Sequence, residues 1–156
     1  MNLQSNYFII LWQCPEKSLA FNINMKLPSQ KQAMNFMLAL LSGVMIFHIL
    51  VFIGVIPFTV VWAGKLNSVQ EMRVFEAVSM TVLVINILVF LLKAGYIQHK
   101  ISGKLLNWII GFYALLFFVN TIGNLFAETA FEKYFFTPLT TVSAILCLLI
   151  IIQDKK

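Results

Sequence analysis

The chain has 156 residues, 60% of them hydrophobic, with a mean hydropathy of +0.89 and a formal net charge of +5. A soluble domain is typically about 45–50% apolar, so this composition excludes an ordinary soluble domain, and the length fits a single bundle. The charge alone would suit nucleic acid, but the basic residues are scattered over segment ends and form no stripe or block, which excludes that partner.

No charged residue occurs between Lys31 and Lys65, between Glu76 and Lys93, between Lys104 and Glu128, or between Lys133 and Asp154. A helix needs roughly 20 apolar residues to cross the hydrocarbon core. Backbone polar groups have to be satisfied internally there, so such segments are helices. The expected fold is therefore all-α, a four-helix integral membrane bundle.

Residues 1–32 form a tail before the first span. Its apolar run from Tyr7 to Trp12 is short, is followed by Pro15 and has no preceding lysine or arginine, so the charged front of a signal peptide is missing. Met25-Lys26, followed by Lys31 and an apolar helix, reads as an alternative natural start, which would make residues 1–24 an upstream extension.

The first span is predicted over 33–56, ended by Pro57, which has no N–H to donate. Phe58 to Gly64 continues apolar as a re-entrant or surface-lying piece, with Trp62 as an interfacial anchor. The second span is predicted over 74–92, with Lys93 snorkelling outward. The third covers 105–127, entered through Ser102-Gly103. The fourth covers 138–153, with Thr137 as N-cap and Pro138 as its first residue. The four spans make one domain over 33–153, and the short connections predict an up-down bundle.

Lysine and arginine set the orientation. Lys17, Lys26, Lys31, Lys93, Lys100, Lys104, Lys155 and Lys156 fall on one side, and only Lys65, Arg73 and Lys133 on the other. The richer side is cytoplasmic by the positive-inside rule, which puts both termini in the cytoplasm. The compact chain without a sorting signal points to a multi-pass protein of a bacterial plasma (inner) membrane. Its basic residues meet anionic lipid headgroups of the bilayer, and a membrane-protein partner or a second copy of the chain is a further expected contact.

In this orientation the acidic residues and amides concentrate on the extracytoplasmic half. Glu76, Ser79, Asn86 and Lys93 fall within roughly 100° of one another around the second helix, and Tyr113, Phe117, Asn120, Asn124 and Glu128 within roughly 80° around the third. Lipid cannot satisfy polar groups, so both stripes should face the bundle interior. His48 lies roughly 12 Å below the predicted end of the first span. Each group also has a plainer reading. The asparagines serve as interhelical hydrogen bonders, His48 as a packed histidine, and Glu76 as an interfacial partner of Arg73 at i, i+3. Thr140, Ala144 and Cys147 make a small-residue packing face.

Several chemistries drop out. Cys14 and Cys147 are far apart and in no CxxC pair, so the redox chemistry of the disulfide-forming four-helix quinone reductases lacks its residues. No HExxH, GxSxG or phosphate-cradling glycine loop occurs. Zinc would need more convergent ligands. Neither a metal nor a cofactor is expected. The small multidrug exporters carry a buried glutamate in their first helix, and this first span has none. The leading expectation is binding or transport of a small molecule or ion through an outward-facing polar cavity lined by His48, Glu76, Asn86, Asn120 and Asn124. The alternatives are a non-catalytic accessory or assembly subunit of a larger membrane complex, and a lipid-modifying enzyme using His48 and Glu76.

Overall fold

The structure, a computed structural model, describes residues 27–154. The tail before them, with the alternative start at Met25, lies outside the described residues. Among those residues there is no strand, and four helical stretches are long and apolar enough to cross a membrane.

Helix α1 spans Gln30–Phe52. It starts three residues before the predicted position because Ser29 caps it. The Ser29 hydroxyl accepts from the Gln32 N–H, and the Gln32 side chain accepts from the Ser29 N–H, a reciprocal capping box. It stops at Phe52, well before Pro57. Gly54 takes the left-handed conformation (φ +82°), and the N–H groups of Gly54 and Val55 return to the carbonyls of Val51 and Leu50. This is a Schellman stop. Glycine, not proline, ends the helix.

Helix α2 spans Val69–Lys93, capped by the Ser68 hydroxyl and closed by the same device at Gly95 (φ +75°). Between α1 and α2 run two 3₁₀ turns, Phe58–Val60 and Trp62–Gly64. Helix α3 spans Gly103–Leu125, with Ser102 as its cap.

The fourth stretch departs furthest from its predicted start. Thr137 is not an N-cap: its backbone is helical, and a π-helical turn, Glu132–Phe136, runs straight into helix α4, Thr137–Gln153. The start lies upstream, where Thr129 and Glu132 stand at the capping-box spacing and the Thr129 hydroxyl meets the Glu132 N–H at 3.4 Å. Pro138 explains the π turn. Proline cannot donate to the carbonyl four residues back, and its ring crowds that carbonyl. Widening the preceding turn makes the room.

The core is apolar and lies between the helices. Met37 and Leu41 of α1, Phe90 of α2, Leu106 and Ile110 of α3, and Cys147 and Ile150 of α4 are all buried in it. α3 packs most extensively on α4, and α1 on α2. The predicted small-residue face of α4 is buried at Thr140, Ala144 and Cys147, joined by Ser143. The outward faces are also apolar, with Trp108, Phe112, Phe118, Val78 and Ile145 exposed. Helices that are apolar all round suit lipid rather than water. The described chain thus fits a small membrane protein.

Asp154 ties one end of the bundle together. Its carboxylate meets Lys93 Nζ at 2.7 Å, accepts from Asn107 Nδ2 at 2.6 Å and accepts from Gln30 Nε2 at 3.1 Å. One residue after α4 therefore reaches α1, α2 and α3. Lys93 does not snorkel outward: its side chain is only 7% exposed, because it pairs with Asp154 at the end of the bundle.

Candidate functional site

At the opposite end, the last turn of α1 and the second turn of α2 carry His48 and Glu76. Glu76 is fully buried, which places it inside the protein rather than at the interface beside Arg73. Its Oε2 lies 2.5 Å from His48 Nδ1, and its Oε1 accepts from Trp62 Nε1 at 3.0 Å. No ion pair joins Glu76 to Arg73 among the described residues. A buried carboxylate is tolerated when it is paired and hydrogen-bonded, and here both oxygens are engaged.

The helix stop at Gly54 determines how deep His48 sits. Because α1 ends at Phe52, His48 is one turn, about 6 Å, from the helix end rather than the 12 Å expected. Its neighbour Phe47 packs on Phe131 and Phe136 at ring separations of 5.6 and 5.0 Å, which links this end of α1 to the π turn. The His48 side chain is 18% exposed, and among the described residues its Nε2 makes no hydrogen bond.

Trp62 is the participant that sequence reasoning assigned elsewhere. Its indole N–H holds the second oxygen of Glu76, and its ring packs on Phe75 at 4.8 Å. Its backbone sits at φ +54°, a conformation that costs a non-glycine residue roughly 1–3 kcal/mol and persists only where surroundings hold it. A signal for this existed in the sequence: an indole N–H in apolar surroundings needs an acceptor, and Glu76 needed a donor.

The three asparagines do not join this pair. Asn86 is buried ten residues further along α2, and among the described residues its Oδ1 has no hydrogen-bond partner. Asn124 Nδ2 lies 3.5 Å from Thr140 Oγ1, which also takes a hydrogen bond from the Thr121 hydroxyl at 2.9 Å; these contacts join α3 to α4. Asn120 is exposed. Angular position put Glu76, Asn86 and the Lys93 side chain on a buried face of α2, with Ser79 half-buried, but the α3 stripe is buried only at Tyr113: Phe117 and Asn124 are half-buried, and Asn120 and Glu128 are exposed. It could not say which neighbour each residue meets.

Two clefts stand out among the described residues, and neither is lined by any of these five side chains. One of about 200 Å³ lies between the end of α1 and the start of α2, lined by Phe52, Ile53, Pro57, Phe58, Met72 and Arg73 among others. A broader one of about 480 Å³ sits at the Asp154 end against Pro28, Gln32, Ala33, Phe36 and Leu146. No cluster of three or more His, Cys, Asp or Glu side chains able to hold a metal occurs among the described residues.

The chemistry available is that of a carboxylate-oriented imidazole. With the ring neutral, Nδ1–H donates to Glu76 and Nε2 carries the lone pair, so Glu76 selects the tautomer and aims the other nitrogen. Nε2 is then an acceptor or a base. No family model, no curated protein and no solved structure matches this chain.

Proposed function

We propose that this chain runs up and down through the membrane four times with both termini in the cytoplasm, and that it binds a small molecule or ion at the His48–Glu76 pair. The carrying observation is Glu76: fully buried, with one oxygen on His48 and the other on Trp62. An ionisable group at membrane depth is expensive and marks a functional site by default. The up-down arrangement is supported by the contacts of Asp154 at one end and of His48 with Glu76 at the other. The cytoplasmic termini rest on the lysine and arginine bias, and they put the pair in the extracytoplasmic half. The bound group is one that gives a proton or hydrogen bond to His48 Nε2. Asn86, deeper on the same face of α2, and Asn120 and Asn124, in the last two turns of α3, stay as proposed contributors.

A second reading is favoured by a specific feature. Glu76 is already satisfied within the chain, and neither cleft opens on the pair. A satisfied interior suits an accessory subunit of a larger membrane complex. A lipid-modifying reaction, with His48 as base, is the less favoured third reading.

Glu76→Gln separates them. Wild type, Glu76→Gln and His48→Ala are purified from native membranes, and co-purifying small molecules are compared by mass spectrometry. The binding reading expects a species present with wild type and depleted in both variants, with folding retained in Glu76→Gln. Full cellular function with glutamine, and no difference in bound species, would leave the accessory reading ahead.

A further inference from the structure

The segment 57–65 covers the α1–α2 end of the bundle, and among the described residues its backbone hydrogen bonds are local. The backbone bonds of Val60 to Pro57, Val61 to Phe58, Gly64 to Val61 and Lys65 to Trp62 all close within the segment. None of them reaches the backbone of α1 or α2. The segment is held down instead by side chains. Val61 is buried with Val51 of α1 and Met72 of α2. The Trp62 indole is bonded to Glu76 and packed on Phe75. At the far edge, Gly64 lies near Thr129: a Cβ added there would come within 3.7 Å of the Thr129 methyl group.

The strap's backbone is strained. Trp62 sits at φ +54° and Gly64 at φ +69°, and a bulky residue in the left-handed region is an outlier that calls for explanation. The hydrogen bond to Glu76 supplies one: holding the indole over the carboxylate forces the backbone out of its preferred region. Letting go of Glu76 relieves that strain.

We propose that the 57–65 strap is the gate of the His48–Glu76 site, and that the Trp62 indole on Glu76 is its latch. Among the described residues, lifting the strap breaks the Trp62–Glu76 hydrogen bond and unseats Val61 together with Phe58 and Val60, which pack on the same cluster, while its four internal backbone bonds travel with it. It frees Oε1 of Glu76 and uncovers the end of the bundle. The strap's role as a gate for a ligand rests on the binding function proposed above. The motion itself is tested without any ligand, so the two ideas fail separately.

The test uses Met72→Cys, a position 3% exposed beneath the strap, in an otherwise cysteine-free full-length chain. The probe is a membrane-impermeant methanethiosulfonate reagent. Adding Trp62→Phe keeps an aromatic ring and removes the N–H donor. The labelling rate should rise roughly ten- to hundred-fold, the factor that losing a hydrogen bond to a charged group produces. Cysteine at the exposed Asn67 should label at the same rate with or without Trp62→Phe. In a second measurement on the cysteine-intact chain, the amides of Val60, Val61, Gly64 and Lys65 should exchange hydrogen at a common rate and accelerate together in Trp62→Phe, with mid-helix amides of α1 and α2 unchanged. An unchanged labelling rate of the Met72→Cys thiol, or acceleration spread equally through α1 and α2, would overturn the gate.

Discussion

His48 and Glu76 are 28 residues apart in sequence, and their Nδ1 and Oε2 atoms are 2.5 Å apart in space. The contact joins the last turn of α1 to α2 across a connection that folds back over it. Glu76 contributes one oxygen, and Trp62 takes the other at 3.0 Å.

That geometry fixes what glutamine should do at position 76. The glutamine carbonyl can still accept from Trp62, but its NH₂ then faces His48 Nδ1 and needs a lone pair there. The imidazole proton should move to Nε2, turning an acceptor into a donor. Nitrogen-15 shifts of the His48 ring should show Nδ1–H in the neutral wild type and Nε2–H in Glu76→Gln. The same tautomer in both would mean that Glu76 does not orient the ring. Glu76→Ala goes further, removing one partner of a buried pair, and should destabilise by about 3–5 kcal/mol, read from denaturation in detergent.

Asp154 should make stability depend on acid. Lys93, then Asn107, hold its carboxyl down to about 2 from 3.8, with a smaller contribution from Gln30. A carboxylate lowered in the folded state stabilises fully above its unfolded value and loses that contribution as pH falls through its folded value. Wild type should therefore unfold at a higher temperature than Asp154→Asn near neutral pH, and the gap should close between about pH 4 and pH 2. A gap that stays constant down to pH 2 would show that Lys93 does not depend on this charge.

Gly54 and Gly95 end their helices at positive φ with open space around them. Alanine at either position meets no neighbour and suffers only the left-handed backbone. Each substitution should cost about 1 kcal/mol, measured by chemical denaturation. A much larger loss would mean that the side chain, and not the backbone, is the problem.

Among the described residues, the buried oxygen of Asn86 has no donor. Leucine has similar size and nothing to leave unpaired. Asn86→Leu should therefore change stability by no more than about 1 kcal/mol, in either direction. A loss of several kcal/mol would show that the amide has a partner in the membrane that the isolated chain does not provide.

The orientation is tested at Asn67 and Gln98, both exposed and neither a helix cap. In a cysteine-free background, cysteine at 67 should react with an impermeant thiol reagent in intact cells, and cysteine at 98 should not. The reverse pattern would move the His48–Glu76 pair to the cytoplasmic half.

The sequence by itself determined the class and the number of helices. Charge-free apolar runs separated by charged connections specify spans whatever their neighbours, because the cost of exposing backbone in lipid is local to each segment. It also determined the inward face of α2 at Glu76, Asn86 and Lys93 through helical periodicity, but not that of α3, where Asn120 and Glu128 turn outward. Helix ends were legible only in part: Ser102 and Gly103 open α3 as read, but the stop at Gly54 was masked by the apolar run that continues past it. Only the tertiary structure decided which polar residues meet. Lys93 finds Asp154 from the far end of the chain, Glu76 finds His48 and Trp62 instead of Arg73, and Asn124 turns to Thr140. Periodicity gives an angle around one helix axis, while a hydrogen bond needs the rotation, height and separation of two. Those quantities are set by the packing of the whole bundle and by a strap whose strained Trp62 no local rule would place.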